Sequence, residues 1–169
     1  MSYKELKTYQ QATAIYDYTV EFCNRYIDRR SRTHDQMVQA ARSGKQNIVE
    51  GSSERASKKS EIKLLGVARA SLQELLEDYE DFLRQRDLPQ WEKDSPQAKT
   101  ARNMTYKTYR SYKSYLAEPE TAANAAVCLI NQTNFLLDRQ IASLEQKFIA
   151  EGGYTENLFK KRLEKKIKN

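Results

Sequence analysis

The chain has 169 residues, of which 39% are hydrophobic and 31% charged, and a formal net charge of +6. That length suits one core with an appendage and excludes two large independent domains, while the supply of Leu, Ile and Tyr excludes a fully disordered chain. Only 5 Gly and 3 Pro are present, too few for many short strands joined by tight turns, so long helices are predicted.

From about Glu5 to Arg29 two seams step by three and four: Leu6, Tyr9, Thr13, Tyr16, Val20, Cys23, Ile27, and beside it Ala12, Ile15, Thr19, Phe22, Tyr26. The stripe is wide enough either for a broad core face or for a face shared between the protomer's own core and a neighbouring subunit. Ser31-Arg32-Thr33 reads as a connection, and Thr33 with Gln36 has the form of a capping box opening a second helix over 34–50. Its seam, Met37, Ala41, Gly44, Ile48, is built of small residues that admit a close neighbour, and Gly51 stands where a C′ residue would end it. A third helix over 58–86 carries Leu65, Ala68, Leu72, Leu75, Tyr79, Phe82 at alternating three and four, the period of packed helical bundles.

Leu88-Pro89-Gln90-Trp91 breaks the pattern. Ser95-Pro96 reads as an N-cap followed by proline in the first turn of an inserted helix spanning about 95–117. Within it Tyr106, Tyr109, Tyr112 and Tyr115 recur every three residues among Lys99, Arg102, Lys107, Arg110 and Lys113, with no acidic residue from Ser95 to Ala117. Glu118-Pro119 starts a fourth long helix over 119–149, whose seam is Ala123, Val127, Ile130, Asn134, Leu137, Ile141, Leu144, Phe148, ending at Gly152-Gly153. A basic helix follows from Tyr154 to Lys168. The organisation predicted is thus all-α: an antiparallel up-down four-helix bundle in residues 1–150, with the Tyr/Lys/Arg-rich insert, and a basic extension over 151–169.

The positive excess lies after Pro89, the first half being nearly balanced, and an excess of this kind favours a polyanion such as RNA or DNA, or an acidic protein. Cys23 and Cys128 lack metal-ligand spacing and sit in apolar patterns, so they read as buried hydrophobes. The opening MSYKELKTYQQ lacks a signal peptide's apolar core and no run approaches a membrane span, which predicts a cytoplasmic chain with no membrane association.

Chemistry-bearing constellations are sparse. His34 is the single histidine and, beside a helix start, reads as solvent-exposed. Glu74, Glu77, Asp78, Glu80 and Asp81 fall on a helix and read as a solvated face, with a divalent-cation site as the sharper alternative. No phosphate-cradling loop, Walker-type sequence or nucleophile elbow is present, so no catalytic or metal residues and no cofactor are assigned. The Tyr and basic segment reads either as a nucleic-acid contact, rings stacking on unpaired bases and cations meeting phosphates, or as a core-facing stripe.

Antiparallel connectivity places Arg25, Arg29, Arg30 and Arg32 at one pole with Arg84 and Arg86, next to the insert. The opposite pole gathers Arg55, Lys58 and Lys59 with Lys160, Lys161, Arg162, Lys165 and Lys166. The candidate contacts for nucleic acid are those arginines of the first pole, Lys99, Arg102, Tyr106, Lys107, Tyr109, Arg110 and Lys113 of the insert, and the five cations of the C-terminal extension.

Gln39-Ala40-Ala41-Arg42-Ser43, Asn47-Ile48-Val49-Glu50-Gly51 and Ala68-Arg69-Ala70-Ser71-Leu72-Gln73-Glu74-Leu75 resemble the small bacterial four-helix-bundle proteins first known from intervening sequences of 23S ribosomal RNA genes. That family includes the accessory variability determinant of diversity-generating retroelements. Pro119-Glu120, Ala123-Asn124, Leu129-Ile130, Leu136-Leu137-Asp138-Arg139-Gln140, Leu144-Glu145, Phe148 and Gly152-Gly153 resemble its suffix-containing branch. The resemblance covers roughly 5–88 and 118–163. It implies a four-helix protomer in a five-fold barrel, a homo-oligomeric pentamer that binds a reverse transcriptase and its template RNA without catalysis. Asn47, Glu50, Gly51, Ser71 and Glu74 match the family pattern as packing and interhelical hydrogen-bonding positions. The expected function is a non-catalytic accessory protein for RNA or single-stranded DNA, with an oligomeric scaffold docking an acidic protein partner as the alternative.

Overall fold

The computed structural model describes residues 2–53, 57–103 and 109–168, the side chains of residues 109 and 110 apart. Among them all regular structure is helical. After a short 3-10 turn at Tyr3–Glu5 come α1 (Lys7–Tyr26), α2 (Arg32–Gly51), α3 (Lys58–Gln85), α4 (Pro96–Asn103), a 3-10 segment (Tyr109–Ala117), α5 (Pro119–Glu151) and α6 (Tyr154–Ile167). No helix among the described residues is long and apolar enough to cross a membrane.

The four long helices each pack against two others: α1 on α2 and α5, and α3 on α2 and α5. On α1 and α2, Cys23 lies 3.9 Å from Met37 and Lys45 sits over the Tyr16 ring, so rising numbers meet falling ones. Ser43 with Ser71 and Gly51 with Leu64 repeat that register between α2 and α3. Arg69 with Asp138 and Lys58 with Glu151 repeat it between α3 and α5. Thr8 with Gln140, Gln11 with Thr133 and Tyr18 with the Ala122 carbonyl close the ring between α5 and α1.

The buried seams follow the periodicity. Met37, Ala41, Gly44 and Ile48 on α2, and Leu65, Ala68, Leu72, Leu75, Tyr79 and Phe82 on α3, are all buried. At Gly44 the small residue is required, because a Cβ there would meet Leu72 Cδ2 at 2.8 Å. On α1 the inner seam from Ala12 to Phe22 is core, while Tyr9, Thr13, Tyr16 and Val20 of the outer seam are half-buried at its border. Across the ring Phe22 packs its ring 4.8 Å from Tyr79 and 4.9 Å from Phe82. Asn134 stands in the α5 seam only 3% exposed, with neither amide atom partnered.

Several local expectations are corrected. The N-cap of α2 is Ser31, whose extended backbone lets its hydroxyl accept from Thr33 N at 3.1 Å, so Thr33 lies inside the helix. Gly51 is the last helical residue, not a C′ position; it is buried because α3 approaches so closely that a Cβ would lie 3.3 Å from Leu64 Cβ. Positive φ follows α3 at Asp87, with φ 52°, and α5 at Gly152, with φ 73°, the latter at the stop expected there. His34 has a side chain only 15% exposed, folded back so that its Nε2 lies 3.3 Å from Asn24 Oδ1. The insert does not form one helix over 95–117: α4 ends at Asn103, and the chain returns as the 3-10 segment because Tyr112 and Leu116 are drawn into the core.

Candidate nucleic-acid interface

The segment between α3 and α5 is fastened by a small set of buried contacts. Asn124, fully enclosed on α5, accepts from the Trp91 backbone N–H at 2.7 Å and donates to the Pro89 carbonyl at 2.9 Å, which fixes the connection after α3. The Ser95 hydroxyl caps α4 by accepting from Ala98 N at 3.2 Å. Ala98 and Ala101 then pack on Cys128, with Trp91 and Tyr115 around them. At the far end Tyr112 is 1% exposed with its ring 6.1 Å from that of Tyr18, and the Leu116 carbonyl accepts from the Tyr26 hydroxyl and from Arg25.

This resolves part of the tyrosine stripe. Tyr112 is core and Tyr115 is half-buried against Trp91, with ring centroids 6.3 Å apart. Tyr106 and Lys107 lie outside the described residues, as do the side chains of Tyr109 and Arg110, and Arg55 of the α2–α3 connection.

The first pole is less basic than connectivity suggests. α1, α2 and α3 do meet there, around Ile27, Met37 and Phe82, but Asp28, Asp78 and Asp81 line the same hollow as Arg86. Arg25 is held by Glu21 at 2.8 Å and Arg84 by Asp81 at 2.6 Å, and the Arg86 guanidinium lies 3.8 Å from the Phe82 ring centroid. Arg29, Arg30 and Arg32 are exposed and form no ion pair among the described residues. At the opposite pole Lys58 is paired with Glu151. The candidates therefore divide into cations paired with a carboxylate and cations without an ion-pair partner among the described residues.

Those without a partner include Lys99 and Lys113 on the insert and the whole α6 set: Lys160, Lys161, Arg162, Lys165 and Lys166 are exposed and without an ion-pair partner among the described residues. α6 has no buried residue, and its apolar side chains Tyr154, Leu158, Phe159, Leu163 and Ile167 are exposed as well. Arg102 behaves differently from its neighbours: it donates to the Lys93 carbonyl and is half-buried beside Cys128, whose thiol is pushed up by burial and eased down by that guanidinium. Cys23, on α1, is pushed up to about 12 by burial and by Asp78.

Sequence reasoning missed a cleft beside Arg102. A cavity of about 630 Å³ is lined by Trp91, Lys93, Arg102, Asn131, Gln132 and Phe135, among others. Phe135 is 60% exposed on α5 with the Arg139 guanidinium 5.8 Å from its ring centroid. The signal was faint: Trp91 stood in a breaker sequence, and Phe135 fell off the α5 seam beside Leu136 and Leu137. An apolar residue off the core seam carries no information about what it faces.

The acidic face of α3 lies elsewhere. Glu74, Glu77 and Asp78 line a groove with Gln36, Gln39 and Ser43 of α2. Asp78 is half-buried, and burial first, then the carboxylates of Asp81 and Glu74, hold its carboxyl above the ordinary value. Among the described residues no group of three His, Cys, Asp or Glu side chains is placed to hold a metal ion. No family model, no curated protein and no solved structure matches the chain.

Proposed function

We propose that this protein is a non-catalytic nucleic-acid-binding accessory protein: an antiparallel up-down four-helix bundle that offers exposed cations to the phosphates of RNA or single-stranded DNA. The observation that carries the reading is the exposed, unpaired cation set, above all Lys160, Lys161, Arg162, Lys165 and Lys166 on α6. A cation paired with a carboxylate must give up that contact to meet a phosphate, whereas these five have no ion-pair partner among the described residues to give up. From the family resemblance we further propose a cytoplasmic homo-oligomer, a pentameric barrel, with a reverse transcriptase of a diversity-generating retroelement-like system as its protein partner. Repetition around an axis would multiply each modest cationic patch.

The test is binding of RNA and of single-stranded DNA by the purified protein across a salt series. Wild type is compared with a variant in which Lys160, Lys161, Lys165 and Lys166 are changed to Gln. Wild-type affinity is expected to fall steeply with salt, by about 0.9 log units per log unit of salt for each duplex phosphate neutralised and about 0.7 for single strands. The variant is expected to have a shallower slope. No binding at low salt would overturn the reading. The alternative, an oligomeric scaffold docking an acidic protein, is favoured by one observation: Phe159, Leu163 and Ile167 are exposed at four-residue spacing on α6, as in helices that seat in a partner's groove. It predicts a tight protein complex that outlasts high salt.

A further inference from the structure

We infer that the cleft lined by Trp91 and Phe135 is a subsite for one unpaired nucleobase of the bound strand, rather than a further patch of phosphate contact. The inference rests on the nucleic-acid reading above and adds to it a place, a stoichiometry and a mode of contact.

Size comes first. A cavity of about 630 Å³ falls within the roughly 300–1,000 Å³ of small-molecule sites. That is enough for a base with its sugar and phosphate. The lining has the composition that task needs: two aromatic side chains for the faces of a base, amides for its edge, and the cations Lys93 and Arg102 for the phosphate. Base stacking on an aromatic ring tolerates any sequence, because every base presents a π-face.

The amide chemistry is more particular. Gln132 Nε2 donates to the Arg102 carbonyl at 3.4 Å. Its Oε1 is buried with no partner. A shielded acceptor without a donor is costly, by about 1–3 kcal/mol. A ring N–H or exocyclic amino group of a base supplies the missing donor once the Gln132 side chain turns toward the cleft, and the exposed Asn131 amide already lines it. Phe135 makes the complementary case from the apolar side, since its ring is 60% exposed at the edge of a concave cavity where a stacked base would cover it.

The cleft is also preformed. Asn124 bonds the backbone on both sides of Gln90, at Pro89 and Trp91, and the Trp91 indole meets Tyr115 edge-on. Arg102 is tied to the Lys93 carbonyl, so the two cationic segments are joined. Little ordering is left to be done on binding, which favours affinity.

Trp91 is the single tryptophan of the chain and lines this cleft, so its selectively excited emission responds to occupancy there, and Phe135→Ala separates that response from binding on the Tyr115 side of the ring. The experiment titrates the full-length protein with a labelled mixed-sequence single-stranded RNA, reading label anisotropy and Trp91 emission on the same samples, for wild type and Phe135→Ala. A parallel titration uses adenosine monophosphate. The expected result is quenching of Trp91 along the same isotherm as the anisotropy, weak quenching by the mononucleotide, and an affinity for RNA lowered roughly five- to hundredfold by Phe135→Ala. Phe135 is solvent-facing on a helix, so the substitution leaves the fold intact; circular dichroism checks it. Anisotropy that rises while Trp91 emission stays constant, with Phe135→Ala binding as wild type, would overturn the subsite and leave the nucleic-acid reading standing. Flat anisotropy at low salt would overturn both.

Discussion

The segment 88–117 and helix α6 look alike as sequence: each is short, basic and interleaved with aromatic or apolar residues, and each follows a Pro or Gly break. In the folded chain they are opposites. The first is pinned by Tyr112, Leu116, Ala98 and Ala101, all buried, and by the Asn124 clamp, and it encloses a cleft with the surface of α5. The second contributes no buried residue and presents its cations and its apolar side chains to solvent. Charge density therefore does not decide what a basic segment is for. A segment held by buried anchors can build a shaped site, whereas one without anchors can supply only charge and an apolar surface for something else to cover.

The sharpest way to break this comparison is by stability. Tyr112→Ala removes a ring buried against Tyr18 and is expected to cost about 3–5 kcal/mol, as large aromatic truncations in cores do. Deleting residues 153–169 removes no buried contact and is expected to change stability by less than about 0.5 kcal/mol. Urea denaturation followed by circular dichroism measures both. A truncation as damaging as Tyr112→Ala would mean that α6 packs on the ring in solution.

Thiol labelling sharpens the comparison at intermediate scale. Both cysteines are free and buried, but Cys128 is covered by α4 of the pinned segment, whereas Cys23 lies among the ring helices beside Met37. Local opening of 88–117 is expected to expose Cys128 well before global unfolding exposes Cys23, so labelling under native conditions modifies Cys128 first. Mass spectrometry of the modified peptides gives the order, and equal rates would show that the segment opens only with the whole fold.

The smallest expected effect belongs to a surface that is part of neither basic segment. Asp78 has its carboxyl held above the ordinary value by burial and by Asp81 and Glu74. A raised carboxyl destabilises the fold once it is ionised, so its penalty is absent below the unfolded value and complete above the folded one. Asp78→Asn is accordingly expected to raise the denaturation midpoint slightly at neutral pH and to leave it unchanged in acid. An equal shift at both pH values would assign the effect to packing instead.

Much of the core was legible in the residues. The α2 seam through Gly44, the α3 seam from Leu65 to Phe82 and the α5 seam through Leu137 are buried in the order their spacing dictates, because helical periodicity alone decides which side chains share a face. The break at Pro89, the cap at Ser95 and the stop at Gly152 were legible for the same local reason: they depend on backbone geometry within a few residues.

What the sequence by itself determined, then, was an all-helical chain with four long amphipathic helices and two basic segments. The tertiary structure decided which cations are paired where the partner is distant in sequence, as for Lys58 with Glu151. Glu21, Asp81 and Glu151 neutralise Arg25, Arg84 and Lys58, and of these only the first two pairs join residues close in sequence. It also decided that Tyr112 is core, that Arg86 lies on Phe82, and that Trp91 and Phe135, far apart along the chain, line one cleft. Periodicity assigns a residue to a face of its own helix. Which other segment meets that face is set by long-range packing, and a site assembled from 88–102 and α5 has no local signature to read.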